Sequence, residues 1–276
     1  MHVLSTLGKS CAATAAPKDS CAVVAHGVAE YPLAALPGLR KQVGPSGGSP
    51  LAPAFLRHQD DQTVVGLAAI FAAMAAGSFG ADEFDSWGVV AAPRFLGRPL
   101  MATALPKFMA EGAWSVSPHT IPYLSLHSIA GAISQALHIH GPNFGVGGGP
   151  DGEIEALLAG MAMLSAYSLP GVWVVLTGWE PELVPGAHAD DSAPFVCRAI
   201  ALALSSRGSG AGDLQLSIEP AATGGSRVRS AAPLAPTSRM QVLAAILNDR
   251  QYAAAHWPLP GNGMLAWRRG TEGREG

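Results

Sequence analysis

Apolar residues recur along the chain in two patterns, one suited to strands and one to helices. GVWVVLTGW (171–179) is apolar almost without a break and predicts a buried strand, as does DSWGVVAAP (85–93). DLQLSIEP (213–220) alternates as a strand should, and FVCRAIALALSS (195–206) reads as one strand or two. NFGV (143–146) is a short strand, and MHVLSTL (1–7) is a candidate first one. Helical spacing covers about 62–76, where Asp60 or Asp61 can cap the first turn. It recurs over 100–112, where Pro106 limits the length, and over 122–137, 153–167 and 238–255, the last capped by Ser238. Residues 8–59 look loop-like, with the clearest break at SGGSPLAP (46–53). Residues 221–238 have a linker's composition, and the terminal RRGTEGREG reads as a disordered tail. No internal repeat is visible. Strands that alternate with helices predict an α/β layered fold.

Composition adds one question. The 276 residues suffice for one large domain or two small ones. Hydrophobic residues make up 49% and charged residues only 13%, against roughly 25% in an ordinary soluble domain. Either part of the surface meets a partner or the many alanines simply tolerate water. A net charge of −3 and a pI near 6.3, with no basic stripe, argue against nucleic acid as a partner. Cys11, Cys21 and Cys197 form no CxxC pair and fit a reducing cytoplasm. The N-terminus lacks a signal-peptide pattern. The uncharged run 63–81 is near membrane length, but its flanks are acidic (Asp60, Asp61, Asp82, Glu83, Asp85). The expectation is therefore a buried soluble helix and no membrane span.

Candidate chemistry centres on GPNFGVGGGPDG (141–152), a strand running through glycines into a helix. Gly147, Gly149 and Gly152 satisfy GxGxxG, which could cradle a dinucleotide pyrophosphate at the helix start. Pro150 removes one cradle amide, however, and no acid ends the next strand at the required distance. GPSGG (44–48) matches GxSxG around Ser46, but within a loop rather than a strand–turn–helix. His138 and His140, with His127 upstream, lack the further ligands a zinc site needs. Cys197 lies in an apolar run and reads as a small buried hydrophobe.

Residues 121–165, IPYLSLHSIAGAISQALHIHGPNFGVGGGPDGEIEALLAGMAMLS, resemble a β-ketoacyl synthase of the thiolase superfamily. GPNFGV matches that family's turn and strand, and GEIEALLAGMAMLSAY the helix after its nucleophile. QTVVGLAAIFAAMAAGSF, SWGVVAAPRF, GVWVVLTGWEPEL and FVCRAIALALSSRG extend the likeness over about 60–220. The resemblance implies a thiolase-like half fold, with a mixed central sheet and helices on both faces. It places the ketosynthase-like domain at 1–220, followed by a linker, short helix and tail at 221–276. The family's nucleophilic cysteine would fall at or beside Pro150, in Gly149-Pro150-Asp151, where no thiol exists. Asp151 reads as a helix-start residue favoured by the dipole. The family's paired histidines belong to a second half that the sequence lacks, and His256 has no matching context.

The resemblance therefore implies a non-catalytic subunit similar to a chain length factor, with no cofactor and no metal. Such a subunit pairs with an active ketosynthase (or with itself) and meets an acyl carrier protein indirectly. The setting would be polyketide, aryl-polyene or fatty-acid-type biosynthesis. Asn143, Phe144, Gly145 and Val146 would form an interface strand. Tyr123, Leu126, His127 and Phe144 are candidates to line a substrate tunnel. Two other readings stay open: an acyltransferase or condensing enzyme with a non-standard nucleophile, and a dinucleotide-binding protein using the glycine turn.

Overall fold

The structure, a computed structural model, describes residues 20–80, 83–147, 151–182, 195–206, 214–220, 238–249, 254–259 and 263–269. The candidate strand at 1–7 lies outside them. Eight strands form one mixed sheet: β1 (Ser20–Pro32), β2 (Gly88–Pro93), β3 (Asn143–Gly145), β4 (Val172–Glu180), β5 (Val196–Ser205), β6 (Leu214–Pro220), β7 (Ala254–Leu259) and β8 (Gly263–Arg269). Their order is β3-β2-β4-β5-β1-β6-β8-β7. β2 runs parallel to β3 and β4, and every other neighbouring pair is antiparallel.

Both faces of the sheet are covered, which explains why β4 and β5 read as continuous apolar runs. Trp173 and Val175 of β4 join Cys197, Ala199, Ala201 and Ala203 of β5 on one face. Val172, Val174 and Leu176 join Ile200, Leu202 and Leu204 on the other. The first face carries α3 (Asp61–Gly77), apolar on all sides and buried. The alanine row of β5 lets this helix lie low on the sheet. Gly27 of β1 does the same: a Cβ there would come within 2.2 Å of the Ala69 carbonyl oxygen. α3 begins as expected, with the Asp60 carboxylate accepting the Gln62 N–H at 2.8 Å. No helix among the described residues is long and apolar enough to cross a membrane.

The second face carries α7 (Gly152–Tyr167) and α8 (Arg239–Asn248). Leu157, Met161 and Leu164 of α7 share one buried cluster with Met240, Leu243, Ile246 and Leu247 of α8 and with Trp257, Leu265 and Trp267 of the β7–β8 hairpin. Ser238 caps α8, as the sequence indicated.

Several sequence expectations change. Residues 20–32, read as loop, form the thirteen-residue β1. A register shift between Val23 and Ala25 exchanges the faces: Cys21 and Val23 point to the α7 side, Ala25 and Ala29 to the α3 side. The odd positions from Cys21 to Ala29 are buried on both sides of the shift, first on one face and then on the other. The single helix expected over 122–137 is two, α5 (Thr120–Leu124) and α6 (Ser128–Ala136). The Ser128 hydroxyl donates to the Ser125 carbonyl at 2.8 Å in the turn between them. Residues 195–206 hold one strand. The helix expected over 238–255 stops at Asn248, and residues 254–259 and 263–269 pair as antiparallel strands, Arg268 and Arg269 included. Residues 270–276 lie outside the described residues.

α1 (Leu36–Gln42) and α2 (Pro53–Leu56) pack beside α3. α4 (Arg98–Glu111) runs through Pro106, close to the expected 100–112. No side chain described in α4 is buried, so the carbonyl that loses its N–H partner can turn to water. Leu105 and Met109 stand exposed on it, and Trp114, just beyond, is 100% exposed.

Candidate functional site

β3 is the edge of the sheet. Val89, Val90 and Ala91 of β2 face Asn143, Phe144 and Gly145, while the other edge of β3 has no strand beside it among the described residues. Phe144 is 38% exposed; Asn143, Gly145 and Val146 are half-buried. Gly145 is fixed by close approach, since a Cβ there would lie 1.9 Å from the Leu126 carbonyl oxygen. The α5–α6 turn thus crosses directly over the strand. The exposed Leu126 side chain reaches towards Gly147 on the same patch.

Leu126 lies on the Gly145 face of β3, and Phe144, the residue before Gly145 in the strand, points to the opposite face. His127 sits in the N-cap position of α6 with its ring near Gly131. Tyr123 faces elsewhere, with its ring 5.7 Å from that of His58 and 5.8 Å from that of His119. His58 and His119 stack on each other at 4.6 Å.

Of the degenerate turn, Gly149 and Pro150 lie outside the described residues, as does Gly148 between the two ends of the GxGxxG match. Asp151 is the N-cap residue of α7, although its side chain makes no capping hydrogen bond. It pairs instead with Arg239 at the start of α8, at 2.6 Å. Glu153 and Glu155 follow in the first turn, where the helix dipole favours acids. Glu153 is 9% exposed, a buried carboxylate beside the turn that sequence reading did not single out.

A polar hub holds α8 there. Glu180, at the end of β4, accepts from the Gln241 side chain at 2.8 Å and from the Ser238 hydroxyl. It also pairs with Arg198 at 3.3 Å, and Arg198 in turn with Glu30 at 3.1 Å. Nothing in the local sequence signals that residues 151 and 239 meet.

Thiol chemistry has no agent among the described residues. Cys21 and Cys197 are buried, and burial pushes the Cys21 thiol up to about 12 and the Cys197 thiol higher still. Cys197 packs under α3 as a small apolar residue, as expected. Among the described residues, no three His, Cys, Asp or Glu side chains gather in metal-binding geometry.

No family model matches the chain, and no curated protein does. Solved structures do. The chain is similar to a chain of the complex of the ketosynthase ApeO with its chain length factor ApeC from Xenorhabdus doucetiae, with TM-score 0.55 and 15% identity over 91% of this chain and 100% of that one. It is also similar to a chain of AntDE:AntF, a type II polyketide synthase acyl carrier protein in complex with its ketosynthase, with TM-score 0.50 and 12% identity over 68% of this chain. There it spans 64% of the other chain's length. At these identities the likeness is one of fold. The expected mixed sheet with helices on both faces is present, and the chain has the thiolase-like fold of the ketosynthase and chain-length-factor structures that it matches.

Proposed function

We propose that this protein is a non-catalytic, chain-length-factor-like subunit that pairs with an active β-ketoacyl synthase in polyketide, aryl-polyene or fatty-acid-type biosynthesis. The observation that carries the reading is the β3–α7 junction. An open strand edge leads into a helix start whose sequence, Gly149-Pro150-Asp151, offers no thiol or hydroxyl for acyl transfer. The only charged group of that triplet, Asp151, is already paired with Arg239.

The unpaired N–H and C=O groups of β3 favour pairing with another chain. Phe144 and Leu126 beside them supply apolar area, so Asn143–Val146 is the proposed contact strand, and both side chains are candidates to face a substrate tunnel. Similarity to a ketosynthase–chain-length-factor complex and to a ketosynthase–carrier complex supports this choice of partners. An acyl carrier protein would then be met through the active subunit.

Co-expression with the ketosynthase encoded nearest to this protein tests the proposal. The expected product is a stable heterodimer. A monodisperse monomer beside that ketosynthase would overturn the reading. Mass spectrometry after incubation with acyl-thioesters should find no covalent adduct; an adduct on any residue would favour an acyltransferase instead.

A further inference from the structure

On the α3 side of the sheet, away from the β3–α7 turn, the carboxyl ends of β2 and β4 border a cleft of about 290 Å³. Ligands of open α/β sheets commonly sit at such strand ends. Gln59, Asp60, Arg94, Phe95, Leu124 and Trp179 line it. Much of its polar lining is already satisfied. Arg40 donates to Asp61 at 2.6 Å and to the Gln59 and Leu56 carbonyls at 2.9 Å. Glu182 pairs with Arg98. The Gln62 amide donates to the Arg94 carbonyl at 3.0 Å and accepts from the Thr177 hydroxyl at 2.8 Å.

Four polar groups are left over, of which His58 is stacked on His119. The Arg94 guanidinium has no carboxylate partner among the described residues and lies over the Phe95 ring at 5.7 Å. Asp60 caps α3 through one oxygen but forms no ion pair among the described residues, and burial pushes its carboxyl up to about 6. Gln59 is 9% exposed, and its Oε1 has no donor. A buried amide oxygen without a partner is costly, and native folds seldom leave one empty-handed without a reason.

The Arg94 cation and the Asp60 acid line the cleft together between aromatic and aliphatic walls, while the Gln59 oxygen is sealed from solvent. We infer that the cleft binds a small zwitterion, an apolar α-amino acid, with its carboxylate on Arg94. Its ammonium faces Asp60, and its side chain lies against Phe95, Trp179 and Leu124. The volume lies at the small end for ligand pockets and suits a ligand of that size. The inference does not depend on pairing with a ketosynthase.

Titration calorimetry of the full-length protein at pH 7 tests it, with L-leucine, L-methionine and L-phenylalanine as probes. Saturable binding of at least one is expected. Its amide, which lacks the carboxylate, and its N-acetyl form, which lacks the ammonium, should each bind at least about tenfold more weakly, the loss of one charge-assisted contact. Arg94→Ala should erase the preference over the amide. Asp60→Asn, which can still cap α3, should erase the preference over the N-acetyl form. If no probe gives a binding isotherm, or if each binds as well as its amide and N-acetyl forms, the inference fails. The ligand-side comparison decides the matter even if a variant does not fold.

Discussion

Asp60 carries two opposed demands. Its carboxylate caps α3, yet burial raises its pKa from the ordinary 3.8 to about 6. The folded state therefore holds this proton more tightly than the unfolded chain does. The stabilisation is full below about pH 4 and is lost as pH rises towards 6. Asp60→Asn keeps a capping side chain and removes the charge. Urea unfolding should find this variant matching the parent near pH 4 and more stable at pH 7, by roughly 1–3 kcal/mol. Trp173 shows the opposite case of a residue whose role is all packing. It is fully buried among Phe79, Phe84 and Trp87. Trp173→Ala should cost about 3–5 kcal/mol in the same assay. The sequence made Trp173 legible as core because its strand is apolar throughout. Nothing local could show that Gln59, Asp60 and Arg94 share a cleft, since a turn, a helix cap and the end of a separate strand bring them together.

Elements were legible where a single period ran unbroken. α3, α7 and β4 stand within a residue or so of their expected bounds because most of each is buried and apolar. β1 was hidden because it is filled with small residues, Ala22, Ala25, Gly27 and Ala29, that carry little strand signal. The turn between α5 and α6 was hidden because its cause lies in β3: Gly145 admits the Leu126 backbone, and no local residue forbids a continuous helix. Gly145→Val should displace that turn. Hydrogen exchange at the α6 amides should then rise well above the parent's while exchange in β4 stays low. α8 was found from its cap, and Ser238→Ala should cost about 1–2 kcal/mol, because the hydroxyl both caps the helix and bonds Glu180.

At the scale of the whole molecule, the segment after Pro220 is not an appendage. Although the sequence reads 221–276 as linker, helix and tail, α8 and the hairpin complete the cluster that buries one side of α7 and β5. A chain truncated after Pro220 should expose Leu157, Leu202 and Leu204, bind a hydrophobic dye and aggregate. The open edge of β3 lies at the far end of the sheet from that hairpin. Phe144→Lys should thus abolish pairing with another subunit in gel filtration without lowering monomer stability. Five of the six tryptophans are buried and Trp114 alone is bare. The long-wavelength side of the tryptophan emission, and the fraction that acrylamide quenches, therefore report chiefly on this one ring. Any macromolecule that settles over the end of α4 should shift it to the blue and shield it from acrylamide, so the protein carries its own label for finding who visits that flank.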